Sequence, residues 1–374
     1  WDEVQAVLDD PFVDADTKEH LLAAYVRENH YTYVYSGDGS YSQGVVLEDE
    51  LPEEVRRYYD QYDLDQGDFE QGSSDEVYEE ARGESAERGY SAGLVRDEVT
   101  RNGSELDGLV APTVAGVGVR TSNELFDLAR PALRVFEDFL PVNDEVPGDS
   151  VGRFGRIKLD EVRARFDEQL GISFEKFLGD ADRLRVAHES LSGLSSTVEG
   201  ELNSLYRSWS GPAANASYQY YSSELAPASS DLVEYLSAAP GMISTLVENV
   251  FAECKAKADT VLGLYSPTLG SATPEMARKV VALANGDIGD DDHGRILEVA
   301  AWVDSVCGTD LEARIRSDDC DLNSENKEYV QRECKAWIRE SFNPDLHDNV
   351  YQTFKQACDD ALEAVDSFYE ELNG

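Results

Sequence analysis

The residues that could carry chemistry in this chain are few and scattered. The string Asp287-Ile-Gly-Asp290-Asp-Asp292-His293-Gly sets carboxylates beside an imidazole, donors that suit a divalent cation, with Asp290, Asp292 and His293 as candidate ligands. The competing reading is that these acids sit at the N-terminal end of the next helix, where negative charge is favourable. Asp63-x-Asp65-x-Gly67-Asp68 has part of the spacing of a calcium loop, but its glycine comes early and Ser74 stands where a closing Glu belongs. A solvated acidic loop is the alternative there. Five cysteines occur, all in the last third: Cys254, Cys307, Cys320, Cys334 and Cys358. Their clustering hints at disulfides and an oxidising compartment, with two bridges and a spare thiol as the simplest count and Cys320 to Cys334 as a short loop that would close. Otherwise they are buried thiols acting as small apolar residues. The five histidines, His20, His30, His188, His293 and His347, fall in no catalytic motif. There is no nucleophile elbow, phosphate-binding glycine loop, H-E-x-x-H or dinucleotide fingerprint. No residue stands out as a nucleophile and no cofactor is implied.

The elements that would position these residues are mostly helical. Leu21, Leu22 and Val26 share a helical phase over residues 4–30, and Tyr31-Thr-Tyr-Val-Tyr35 alternates like a strand. Gly37-Asp-Gly39 can turn it into a second strand near 45–47. Residues 48–80 hold 14 acidic and two basic side chains and read as loop or solvated helix face. From 76 to 140 the pattern is of helical pieces interrupted by Gly83, Gly89, Gly93, Gly103, Gly108, Gly116 and Gly118, with residues 110–119 as a buried apolar connector or, in the alternative, a membrane-active segment too short to span as a helix. Residues 123–140 form an amphipathic helix and 141–152 a linker. After a second linker over 266–274, Pro274 opens a helix, and further helices are expected near 296–306, 323–341 and 346–372. Trp302, Val306, Trp337, Ile338, Val350, Phe354, Leu362 and Phe368 are their expected core.

Between the linkers lie two long amphipathic stretches. Leu184, Ala187, Leu191, Leu194, Val198, Leu202, Leu205 and Trp209 recur at steps of three or four, which lines one helix face. The stripe resumes at Tyr218, Tyr221, Leu225, Ala228, Leu232, Tyr235, Ala239, Ile243, Leu246 and Val250. Pro227 predicts a kink in the second helix and Pro240-Gly241 a break. Between the stripes stands Trp209-Ser-Gly211-Pro212. Gly211 can take φ > 0 and end a helix, and Pro212 suits the first turn of the next. The segment therefore predicts a tight reversal between antiparallel helices.

The string Trp209-x-Gly211-x-Ala213-Ala214-x-Ala216 resembles the WXG helical-hairpin superfamily of the early secreted antigen type, over about residues 174–264. The resemblance implies a helix–turn–helix rod, often dimerised into a four-helix bundle, with no catalytic site in the rod and export by a type VII secretion system. That family's export signal, Tyr-x-x-x-Asp/Glu, has its spacing matched by Tyr220 and Glu224, just after the turn rather than at the end of the second helix. Tyr265 is better placed, but Leu269 stands where the acid belongs. A plainer alternative keeps Trp209 as a large apolar residue closing an ordinary hairpin.

The whole chain sets bounds on these readings. Its 374 residues, 41% of them apolar, suffice for two or three units with real cores. The expected division is an acidic region at 1–75 with a possible β-hairpin, a glycine-interrupted region at 76–150, the long hairpin at 151–265 and a cysteine-containing helical region at 266–374. The expected fold is mainly α: an elongated antiparallel hairpin or bundle with an added helical C-terminal region and a small irregular N-terminal region. No apolar run approaches the roughly 18 residues of a membrane span. The chain begins at Trp1, which reads as a processed or trimmed product. The formal charge of −44 makes nucleic acid and anionic lipid poor partners. Such charge with Arg in excess over Lys fits an exported actinobacterial protein or a salt-adapted archaeal one. It also allows an acidic surface that mimics nucleic acid or binds a basic partner. The leading expectation is a secreted or cell-surface protein acting through a helical partner, the secretion machinery or a second copy of itself. The alternatives are a toxin with activity in a terminal region, delivered by the hairpin, and a salt-adapted structural protein with an incidental W-x-G turn.

Overall fold

The computed structural model describes residues 1–10, 13, 15–35, 41–47, 50–62, 64, 73–288, 293–317 and 323–373. In chain order the elements are α1 (Asp2–Leu8), α2 (Ala15–His30), β1 (Tyr31–Tyr35), β2 (Tyr41–Val46), α3 (Glu53–Tyr62), α4 (Ser74–Gly108), α5 (Asn123–Ala129) and α6 (Arg134–Glu145). There follow α7 (Leu159–Phe166), α8 (Phe174–Ser208), α9 (Pro212–Tyr220), α10 (Ala226–Leu262), α11 (Pro274–Asn285), α12 (His293–Cys307), α13 (Leu311–Arg316), α14 (Ser324–Trp337) and α15 (Gln352–Asn373). The fold is mainly α. The one sheet among the described residues is the antiparallel pair β1 and β2, with Tyr31 opposite Val46. The glycine turn proposed between them lies outside the described residues.

The chain forms two compact units. One comprises Trp1–Glu98, Leu133–Val162 and Leu264–Thr353; the other Val99–Ala132, Arg163–Gly263 and Phe354–Gly374. Each is assembled from three separated stretches, whereas the sequence reading divides the chain into four consecutive ones. Periodicity reports which face of a helix is apolar, not which distant helix covers it.

In the first unit, α1, α2 and α3 bury Val4, Val7, Leu8, Leu21, Leu22, Val26, Val55, Tyr58, Tyr59 and Tyr62 in one core. The acidic stretch thus contains a core-facing helix. Val55, Tyr58, Tyr59 and Tyr62 fall at the i, i+3, i+4, i+7 spacing of one face, and the acids Glu53 and Glu54 occupy the first turn. Lys18 on α2 and Lys279 on α11 both reach Glu298 on α12, at 3.2 and 3.0 Å. α11 opens as expected at Pro274, with Thr273 capping Met276 N–H, and closes on Gly286 in the left-handed region. Trp337 is buried, edge-on to Trp302 at 5.5 Å.

The second unit contains the long hairpin. α8 and α10 pack antiparallel, and their bases carry its core: Phe174, Leu178 and Ala181 on α8, and Ile243, Leu246, Val247, Val250, Phe251, Cys254, Ala258 and Val261 on α10. Phe174 meets Phe251 at 5.8 Å, and Phe126 on α5 meets Phe166 at 5.3 Å, both edge-on.

Several expectations are corrected. α4 runs unbroken through Gly83, Gly89, Gly93 and Gly103, because glycine weakens a helix by about 1 kcal/mol without forbidding it. Residues 110–119 are mostly uncovered: Val110, Val114 and Val117 stand exposed and Gly116 and Gly118 adopt positive φ, while Pro112 and Val119 are buried. The 141–152 linker begins late, since α6 carries Pro141 within it and ends at Glu145. α10 continues past Pro240-Gly241 without the expected break. Pro227 follows a π-helical turn at Tyr221–Leu225, where the altered ladder accommodates its missing N–H. Val306 and Leu362 are exposed rather than core, and the buried row on α15 is Phe354, Cys358, Ala361 and Val365.

Candidate interaction site on the distal hairpin

The reversal is built as its residues dictate. Ser208 ends α8, and Trp209 turns extended, its N–H still donating to the Leu205 carbonyl at 2.9 Å. Gly211 holds φ +115° and ψ 177°, and Pro212 opens α9. Tyr206 organises the tip. Its ring stacks on Trp209 at 6.2 Å, meets Tyr218 edge-on at 5.1 Å, and its hydroxyl pairs with Ser217 Oγ at 3.0 Å. Trp209 remains 40% exposed.

Behind the tip the rod is thin. Between Asp182 and Met242, Ala214 is the one buried residue. Leu184, Leu191, Leu202 and Tyr206 on α8, with Ser229, Val233 and Leu236 on α10, are half-buried along the seam, where Ser195 and Ser229 pair through their hydroxyls at 2.9 Å. Small hydroxyl residues at the crossing let the helices approach but supply little apolar burial. Leu194, Val198, Leu205 and Trp209 are exposed, as are Leu225, Leu232, Tyr235 and Met242, with Tyr235 the most exposed at 76%. The sequence reading places all of these except Met242 in the packed stripes of the two helices.

These exposed residues share a side. Helical residues advance by about 100° each. From the seam on α8, Leu194, Val198 and Leu205 lag by about 60°. From the seam on α10, Leu225, Leu232, Tyr235 and Met242 lag by about 90°. Because the helices are antiparallel, an equal sense of rotation brings both rows to one face of the pair. The opposite face carries Ser192, Glu199, Asn203, Ser230, Glu234 and Ser237. The rod is therefore amphipathic as a pair, and neither helix covers the other's outer row. An apolar groove of about 370 Å³ continues that row toward the base, lined by Met242, Leu246, Phe368 and Leu372 among others.

The other sequence candidates are not brought together. Tyr220 is exposed, and Glu224 lies in the π-helical turn, also exposed. Asp290 and Asp292 lie outside the described residues, as does the side chain of His293, whose backbone opens α12. The calcium-loop residues Asp63, Asp65, Gly67 and Asp68 lie outside them too. Among the described residues no group of His, Cys, Asp or Glu is arranged to hold a metal, and no helix is long and apolar enough to cross a membrane. The expected disulfides are not formed among the described cysteines: Cys254, Cys334 and Cys358 are buried free thiols, Cys307 is an exposed one, and Cys320 lies outside the described residues. Cys307 and Cys334 sit on α12 and α14 of the first unit, and Cys254 and Cys358 on α10 and α15 of the second. Burial pushes the Cys254 and Cys334 thiols up to about 12, far from a reactive thiolate.

Among the buried polar groups to which the sequence reading gives no role are Lys257 and His347. Lys257 donates to the Arg165 carbonyl at 2.7 Å and to Gln169 Oε1 at 2.6 Å. Its ammonium lies 5.5 Å from the Phe126 ring centroid, and burial lowers its proton affinity. His347 is enclosed with Asn143. Nothing in the local sequence marks either residue, since their partners lie far away along the chain.

Comparison with known protein families, with curated proteins and with solved structures yields no match.

Proposed function

We propose that this chain acts by helix packing rather than by turnover, as a WXG-type interaction protein exported by a type VII secretion system, with the distal hairpin as its contact surface. The observation that supports this reading most is the shared apolar face of the rod, which ends in the Trp209-Ser-Gly211 turn. Isolated surface leucines are ordinary, but contiguous apolar residues on an otherwise highly charged protein mark a contact site. A pair of helices with so little mutual burial gains order from whatever covers that face.

The test is secretion from an actinobacterial host with and without a working type VII system, using wild type and Trp209→Ala. Secretion that depends on both the system and Trp209, with helical content unchanged, supports the reading. Secretion indifferent to both overturns it and leaves the turn as a structural device.

A further inference from the structure

Two carboxylates stand on the rim of the apolar face, among uncharged serine, threonine, alanine and proline side chains. Glu201 borders the exposed row of α8, and Asp231 borders that of α10, each on the side away from the seam. Both are exposed, and neither has a basic side chain within ion-pair distance among the described residues. Between Leu184 and Met242 there is no lysine, and the two arginines, Arg185 and Arg207, fall on the far side of α8. Arg185 is already engaged with Asp182 at 2.7 Å. A second copy docked face to face would bring no lysine or arginine to meet Glu201 and Asp231, on chains of formal charge −44. Like charges juxtaposed at an interface select against that pairing.

We propose that this face takes a basic helical partner: an amphipathic helix, or pair of helices, whose apolar stripe is edged by Lys or Arg. The apolar stripe fills the row from Leu194 to Trp209 and from Leu225 to Met242, and the basic edges meet Glu201 and Asp231. The assignment rests on the interaction reading above and adds the chemistry of the partner to it. The rest of the acidic surface steers a basic partner, while these two carboxylates fix it.

The test uses the full chain and two synthetic amphipathic helices with the same leucine stripe, one edged with lysines and one with glutamates. Fluorescence anisotropy reads binding, and light scattering reads the state of the chain alone. The expected result is a monomer that binds the lysine-edged helix at least about tenfold more tightly than its twin, with affinity falling as salt rises. Tyr235→Asp removes binding of the lysine-edged helix, which separates docking on this face from general attraction to an acidic protein. The double variant Glu201→Lys, Asp231→Lys shifts the preference toward the glutamate-edged helix. Circular dichroism checks that each variant keeps its helical content. Equal binding of the twins, binding of neither, survival of binding in Tyr235→Asp, or self-association that Tyr235→Asp abolishes each overturns the assignment. Secretion that depends on Trp209 is read independently, so a chain that exports but shows no charge preference loses this inference alone.

Discussion

The imidazole of His347 and the side-chain amide of Asn143 meet inside the first unit, with Nε2 and Oδ1 3.1 Å apart. The Phe154 N–H donates to Nδ1 at 3.3 Å, so Nδ1 is the acceptor and the ring proton sits on Nε2, donated to Asn143. The ring has one proton and, among the described residues, no acceptor for a second. Burial pushes His347 below the ordinary histidine range, with Arg153 acting in the same direction and Asp348 against it. Above about pH 6.5 the residue is neutral in folded and unfolded chains alike and does not bear on stability. As pH falls through that value the unfolded chain takes up the proton first, so stability is lost, and the loss levels off only below the folded-state value. Melting temperature followed from about pH 7.5 to 5 should therefore fall more steeply for wild type than for His347→Gln. Parallel slopes would show that His347 is not the group responsible.

Gly152 lies against the same ring. A Cβ built there would stand 2.4 Å from His347 Cδ2 and 2.5 Å from Nε2, closer than packed side chains allow. Gly152→Ala should cost about 1–3 kcal/mol through overpacking. The cost should shrink in a His347→Ala background, because the cavity left by the ring accepts the methyl group. Thermal melts of the two single variants and the double variant measure this coupling; strictly additive losses would exclude it.

What the sequence made legible was local. The periodicity of 184–205, the Gly211-Pro212 pair and the helix start at Pro274 each act within a few residues, and each is found where its chemistry requires. The glycines of α4 misled because a propensity cost is not a boundary. The apolar stripe of α8 was read as one surface, yet Leu202 and Leu205 belong to different ones: the first lines the seam and the second faces outward. Both satisfy a three-or-four spacing, and only the position of α10 separates them. The exposed face was thus written in the sequence as excess apolar residues, without any sign of which went uncovered. The tie from Lys257 to Arg165 and Gln169 was invisible for a related reason: a lysine on an otherwise apolar helix face has no partner until the chain is folded.

That tie gives a further expectation. Lys257 supplies donors to the Arg165 carbonyl and to Gln169 Oε1 in a buried site, while Gln169 Nε2 has no partner. Lys257→Met keeps most of the apolar stem but withdraws the ammonium donor from both acceptors. A loss of about 1–3 kcal/mol is expected, because a buried group deprived of its partner bears its desolvation cost. Adding Gln169→Leu should recover part of the loss by removing one stranded acceptor and the unpartnered amide nitrogen together. Lys257→Met melting at the wild-type temperature would mean that the ammonium contributes nothing net.

The two marked residues of the hairpin turn should separate cleanly. Gly211 holds φ +115° with ψ 177°, a backbone region that side chains other than glycine scarcely enter, although nothing stands within 4 Å of where a Cβ would be. The penalty of Gly211→Ala is therefore conformational rather than steric packing, about 1–3 kcal/mol, and it falls on the turn. Trp209 is partly exposed and meets Tyr206 only by stacking, so Trp209→Ala should change stability much less. Because the rod between Asp182 and Met242 buries so little, the strain in Gly211→Ala should open the tip locally instead of lowering the melting temperature of the whole chain. Hydrogen exchange at the amides of Tyr206 through Tyr218 is the measurement: faster exchange there in Gly211→Ala, with wild-type exchange in Trp209→Ala, is the expected pattern. A Trp209→Ala chain whose tip exchanges as fast as that of Gly211→Ala would mean that the indole is a structural closure, and its exposure would no longer argue for a contact.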